Sequence, residues 1–116
     1  MSIYSYVHMI IGGIMYKKEN IEQLSYMFDM LGDVSRLSIV VHLLNGKKSV
    51  SEIVQLVEMS QSAVSHQLRI LKDAKILKRE KQGKAVYYSI MDSHVETIVK
   101  NGLVHMAHGE AHEEKL

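Results

Sequence analysis

The sequence predicts a mainly α domain with a small β-hairpin wing, its elements running α-α-α-α-β-β-α. Three observations carry that expectation. Apolar residues recur at three- and four-residue spacing in five segments, the period of helices with one buried face. No proline interrupts any of them. Residues 76–80 (ILKRE) and 85–90 (AVYYSI) have strand composition and are joined by Lys81-Gln82-Gly83-Lys84, a turn signal with a basic tip.

Residues 1–18 read as an N-terminal extension, expected to be poorly ordered. Its apolar stretch MSIYSYVHMIIGGIMY is too short to span a bilayer and lacks the basic start and cleavage site of a signal peptide. Met9 and Met15 offer translation starts besides Met1. The domain proper is expected over 19–108. Ile21, Leu24, Met27, Phe28 and Leu31 form one stripe of a first helix that ends near Gly32. Asp33 is placed to cap a second helix, with Leu37, Val40, Val41 and Leu44 as its buried face and Asn45-Gly46 closing it. Ser49-x-x-Glu52 matches a capping box, and Ile53, Leu56 and Val57 fit a short third helix. Ser60 caps a fourth, whose Val64, Leu68 and Leu71 point inward. After the hairpin, Asp92 caps a last helix carrying Val95, Ile98, Val99 and Leu103. That helix is expected to fray after about Gly109 into a flexible acidic, histidine-bearing tail over 109–116. This order of elements is a winged helix-turn-helix.

Composition narrows the function. A chain of 116 residues with 47% apolar content builds one domain with a real core. The absence of cysteine removes disulfides, thiolate nucleophiles and cysteine-rich metal sites, and points to the cytoplasm. Net charge is only +1, but residues 66–84 carry seven Lys/Arg against Asp73 and Glu80. A basic middle between acidic flanks marks a polyanion-binding face.

The third helix, a break at 58–60 and the fourth helix have helix-turn-helix spacing, which makes the fourth the recognition element for double-stranded DNA. Its inward residues leave Gln61, Ser62, Ser65, His66 and Arg69 outside. Short polar side chains at a helix N-terminus suit base edges and phosphates, because backbone N–H groups there are free. Arg69 and Lys72, with Arg79, Lys81 and Lys84 of the wing, are expected on the DNA backbone.

Four of the seven histidines lie in the last 23 residues. Asp92-x-His94 opens the last helix and His105-x-x-His108 follows eleven residues later, about 16.5 Å along the axis at the rise of an α-helix. Ligands of one zinc ion lie about 2 Å from it, so one helix cannot supply both pairs. Eleven residues nevertheless return to within about 20° of the same face. An antiparallel two-fold partner would join the Asp92/His94 end of one chain to the His105/His108 end of the other, giving two identical sites per homodimer. Three imidazoles and one carboxylate suit tetrahedral zinc, with no position left for catalysis. His8 and His42 are ordinary histidines by this reading, His42 a packed one. His108-Gly-Glu-Ala-His112 superficially resembles a zinc-hydrolase motif, but Glu110 stands at the wrong offset. The chain is therefore expected not to be an enzyme and to have no small organic substrate or membrane partner.

Asp33-x-x-Arg36-Leu37, the run SQSAVSHQLRILKDAKILKRE and the following KQGKAVYYSI resemble the ArsR/SmtB family of metal-responsive winged-helix repressors over roughly residues 19–108. The resemblance implies a homodimer on a partly palindromic operator, with Val50, Gln61, Ser62, Ser65 and His66 at DNA-touching positions. It also implies Zn(II), with Co(II) in some members, as regulatory ligand at Asp92, His94, His105 and His108, the pattern of the zinc-responsive CzrA type. A family site that uses cysteines at the third helix is absent, since that stretch reads KSVSEI. The resemblance further suggests that His105 bonds backbone near Ala74–Lys75. Two alternatives stand beside zinc release: Ni(II) or Co(II) with extra ligands such as His112, and a winged-helix regulator that senses no metal.

Overall fold

The computed structural model describes residues 9–114, with side chains described over 11–109. A short hairpin, β1 (Met9–Ile11) and β2 (Ile14–Tyr16), precedes α1 (Lys18–Leu31) and α2 (Val34–His42). A 3-10 turn at Leu43–Asn45 leads to β3 (Lys48–Ser49), α3 (Val50–Leu56) and α4 (Gln61–Asp73). The wing strands β4 (Leu77–Gln82) and β5 (Ala85–Ile90) follow, then α5 (Ser93–Glu114). The architecture is the winged helix-turn-helix expected from the sequence.

Local chemistry sets most boundaries. Asp33 accepts the Arg36 N–H at 3.1 Å and so starts α2. Ser49 and Glu52 exchange bonds at 3.0 and 3.2 Å, the reciprocal capping box of α3. Ser60 Oγ accepts from Ala63 N–H at 3.1 Å at the head of α4, and Asp92 Oδ1 from Val95 N–H at 3.0 Å at the head of α5. In the wing, Leu77 pairs with Ile90 and Gln82 with Ala85. Gly83 (φ +62°) takes the first turn position, where a type II′ hairpin needs a left-handed residue.

Val64, Leu68 and Leu71 of α4 are fully buried, packed with Ile39, Val40, Ile53, Ile76 and Leu77. Truncating any one such leucine to alanine removes about 2–5 kcal/mol. The remaining helices follow their expected stripes less completely. Val95 and Val99 of α5 are buried, whereas Ile98 and Leu103 are exposed. On α1 only Leu31 is buried, while Ile21 and Phe28 remain 46% and 51% exposed. An apolar period reports a face that wants cover, and one chain does not cover these.

Four expectations change. Residues 9–16 form an antiparallel hairpin rather than a poorly ordered extension, because Gly12 and Gly13, both at positive φ, make a type I′ turn between apolar runs; residues 1–8 lie outside the described ones. The first helix starts one residue early, at Lys18, where Asn20 accepts the Lys17 N–H at 2.8 Å. The wing gains a third strand, β3, which pairs Lys48 with Tyr88 and Ser49 with Tyr87 to give the order β3-β5-β4. Finally, α5 runs through Gly109 to Glu114 instead of fraying there. A single glycine inside a helix costs only about 1 kcal/mol and does not stop it.

The junction between α4 and β4 stores strain. Lys75 N–H donates to the Lys72 carbonyl and Ile76 N–H to the Leu71 carbonyl, both at 3.0 Å, the paired bonds of a Schellman motif. That motif needs a left-handed residue, and Lys75 (φ +62°) supplies it without being glycine. Lys75→Gly should therefore stabilise the fold by about 1 kcal/mol, seen as a rise in Tm. An unchanged or lower Tm would show that the lysine side chain offsets its own backbone cost.

Candidate nucleic-acid interface and metal-ligand pairs

With its inner row buried, α4 presents Gln61, Ser62, Ser65, His66, Arg69 and Lys72 to solvent. Two clefts flank that row. One, toward the head of α3 and the wing, is lined by Val50, Gln61 and Ser65 together with Ser49, Ser51, Ala85 and Val86. The other, between α4 and β4, is lined by Ser65, Arg69, Lys72, Arg79 and Tyr88. The fold thus gathers Val50, Gln61, Ser65, Arg69, Lys72 and Arg79 on one surface. Ser62 lies at the head of α4 with its hydroxyl 3.2 Å from that of Ser60. Lys81 and Lys84 stand exposed at the wing tip.

Charge on this surface is partly tempered. Lys72 Nζ lies 3.7 Å from Asp73, an exposed pair of little energetic weight. At the base of the wing, Lys47 sits 3.7 Å from Glu80 and 5.4 Å from the Tyr87 ring centre. Sequence reasoning missed Ser49, Ser51 and Tyr88 as cleft residues. Their positions depend on β3 joining β5, and a two-residue strand carries no period to detect.

The second set of candidates lies on α5. Asp92 Oδ1, already bonded to Val95 N–H, is 3.7 Å from His94 Nδ1. The Val95 N–H first, and His94 after it, hold the Asp92 carboxyl below its ordinary pKa. His94, His105 and His108 are all exposed. Among the described residues no three histidine or acidic side chains gather within reach of one ion. The two donor pairs therefore stay apart within one chain, as helix geometry requires. His112 falls on the last turn of α5, but its side chain lies outside the described residues, as does His8. His42, half-buried, has Nδ1 at 2.7 Å from the Ser38 carbonyl and is satisfied within its own helix.

Comparison with known proteins agrees with this geometry. Residues 33–79, from the α2 cap to the wing, match the bacterial regulatory protein arsR family. The transcriptional regulator NmtR of Mycobacterium tuberculosis is 34% identical over 86 residues, covering 74% of this chain and 72% of NmtR. A cadmium resistance transcriptional regulatory protein, a CadC homologue of Staphylococcus aureus, is 37% identical over 89 residues, covering 76% of this chain and 74% of its own. The chain belongs to the ArsR/SmtB family. The solution structure of apo-NmtR superposes with a TM-score of 0.69 at 30% identity, over 87% of this chain and 88% of that one. As an ArsR/SmtB protein the chain is a transcriptional repressor and not an enzyme, which disposes of the hydrolase resemblance of residues 108–112. No helix among the described residues is long and apolar enough to cross a membrane.

The capping box beside the first cleft gives a titration test. Glu52 is held below its ordinary pKa of 4.5 by the Ser49 N–H and then the Ser49 hydroxyl. A lowered folded pKa means that the cap contributes above the unfolded pKa and is lost as pH falls through the folded one. NMR titration should place Glu52 below 4.5 in the wild type and closer to it in Ser49→Ala, where the N–H bond remains. An unmoved midpoint would show that the Ser49 hydroxyl does not act on the Glu52 carboxylate, leaving the Ser49 N–H as the cause of its lowered pKa.

Proposed function

We propose that this ArsR/SmtB protein is a cytoplasmic homodimeric repressor, bound to operator DNA in its apo form and released by Zn(II), which controls a metal-efflux or resistance gene. The observation that carries the reading is the layout of α5. Exposed donor pairs, Asp92/His94 and His105/His108, stand at either end of an exposed apolar segment containing Ile98 and Leu103. That segment and the open face of α1 line one apolar cleft, with Phe28, Leu31, Leu37 and Met106. A second copy laid antiparallel on this face covers the apolar surface and aligns each donor pair with the opposite one. Three imidazoles and a carboxylate then fit a four-coordinate structural ion, which would supply a cross-brace between the two α5 helices.

On DNA, Val50, Gln61, Ser62, Ser65 and His66 face base edges and nearby phosphates, while Arg69, Lys72, Arg79, Lys81 and Lys84 neutralise the backbone. Release follows by linkage: whatever the bound metal costs in DNA affinity, DNA costs equally in metal affinity. His105 is the candidate relay, its free ring N–H donating to backbone near Ala74–Lys75. The continuation of α5 to Glu114 favours one second reading, Ni(II) or Co(II) sensing with His112, one turn beyond His108, as a further ligand.

Fluorescence anisotropy on the upstream promoter duplex tests these roles. Zinc should abolish binding of the wild type and leave His94→Ala bound. Loss with nickel or cobalt alone would move His112 into the site, and indifference to every metal would remove the sensor role while keeping the DNA role. His105→Asn should bind zinc yet remain on the operator; normal zinc release in that variant would refute the relay. Arg69→Ala should flatten the log–log salt dependence of affinity by about 0.9, the loss of one phosphate contact. An unchanged slope would take Arg69 off the backbone.

A further inference from the structure

The half-buried guanidinium of Arg36 joins elements that serve different ends of the molecule. Its Nε donates to the Met30 carbonyl at 2.7 Å, and its Nη1 donates to Gln67 Oε1 at 3.2 Å. Met30 lies in the last turn of α1, where helix carbonyls lack intrahelical donors and a positive charge is favoured. Gln67 is half-buried on the flank of α4, between the outward residues His66 and Arg69. Arg36 itself is fixed from below, its backbone N–H held by the Asp33 cap at 3.1 Å. Its neighbour Leu37 lines the apolar cleft with Phe28 and Leu31 of α1. One side chain therefore spans from the cleft-forming helix to the helix that carries the DNA-facing row.

Burial gives that bridge its weight. A hydrogen bond from a charged donor in a partly desolvated site is stronger and more directional than one at the surface. The apolar contacts of α2 with α4 hold the helices together, but apolar packing alone is weakly directional. A planar guanidinium with two acceptors on two helices restricts their relative rotation.

We propose that Arg36 is a positioning residue for operator recognition: it fixes the angle of α4 against the dimer-forming helices, so that two copies present α4 to successive major grooves. The inference rests on the operator-binding homodimer proposed above. Half-sites of such a dimer lie about 34 Å apart, and a small rotation of each α4 about its own protomer changes that span. A single half-site does not sense the span. Arg36 thus affects binding to a paired operator far more than binding to half of one.

The test compares the mapped operator duplex, the same duplex with one half-site scrambled, and a fully scrambled duplex, at one salt concentration. Gln67→Met keeps length and removes the acceptor, leaving the bond from Arg36 to Met30 in place. Its affinity for the paired operator should fall about tenfold, with half-site affinity within about twofold of wild type. A series of operators with one base pair added or removed between half-sites should show a flattened spacing preference in the variant. Arg36→Met, provided its Tm shows it folded, should behave the same way. Equal loss on paired and single half-sites would overturn the proposal, because Gln67 would then act as a DNA contact. Unchanged binding and unchanged spacing preference would overturn it as well. A wild type that does not distinguish operator from scrambled duplex would overturn the DNA reading itself, a different failure from either of these.

Discussion

Burial of the inner row of α4 is the constraint on which the rest of the molecule depends. Val64, Leu68 and Leu71 are inaccessible to solvent, and they pack with residues from α2, α3, β4 and the α4–β4 junction. With three positions fixed inward, helical periodicity leaves no freedom over which residues face out. The polar row from Gln61 to Lys72 is the necessary complement of that core. The same packing sets the head of α3 and the head of α4 along one cleft, which Val50, Gln61 and Ser65 line. The basic wing then closes the second side, with Arg79 opposite Arg69 and Lys72.

A different constraint governs α5. It is one unbroken helix of 22 residues, about 33 Å long, and an object that stiff cannot fold back on itself. Only its first turns, through Val95 and Val99, are anchored in the core. Beyond Lys100 every residue with a described side chain is exposed, including Leu103, Val104 and Met106. Exposed apolar surface on this scale, continued by Ile21, Leu24 and Phe28 of α1, is unusual for a chain that acts alone. Asp92 with His94 and His105 with His108 stand at the two ends of that exposed apolar stretch.

What was legible in the sequence follows the range of the interactions. Asp33, Ser49 with Glu52, Ser60 and Asp92 each make their capping bond three residues away, so a local pattern sufficed to place four helix starts. The buried face of α4 was equally local, but the wing's first strand starts at Leu77 and runs on through Lys81 and Gln82, which pair with Val86 and Ala85, so that the turn is Gly83-Lys84 and not the four residues expected. The Gly12-Gly13 turn was readable too, since paired glycines between apolar runs are a strong hairpin signal, but a short stretch of mixed polarity obscured it. Other features had no local trace. Strand β3 exists because β5 offers it two partners. The stripe of α1 indicated an apolar face without saying what covers it. Arg36 and Gln67 are 31 residues apart, and no periodicity announces their bond. The candidate site divides the same way: the exposed polar row was legible from α4 alone, whereas the clefts needed the assembled wing.

The two candidate surfaces share no side chain, so any influence of one on the other must pass through the framework between them, and that framework is short. Asp92, at the head of α5, follows Met91, whose N–H donates to the Ile76 carbonyl at 2.9 Å. Ile76 in turn donates its own N–H to the Leu71 carbonyl at the foot of α4. Two backbone hydrogen bonds therefore separate the residue that precedes Asp92 from the foot of α4. At that junction sits Lys75 in its left-handed conformation, a strained residue held in place by the bonds on either side of it. Packed interiors of this kind shift between discrete arrangements rather than deforming continuously. A tie at the foot of α4 through Ile76 and another on its flank through Arg36 fix the orientation of that helix against α1 and against the segment that leads into α5.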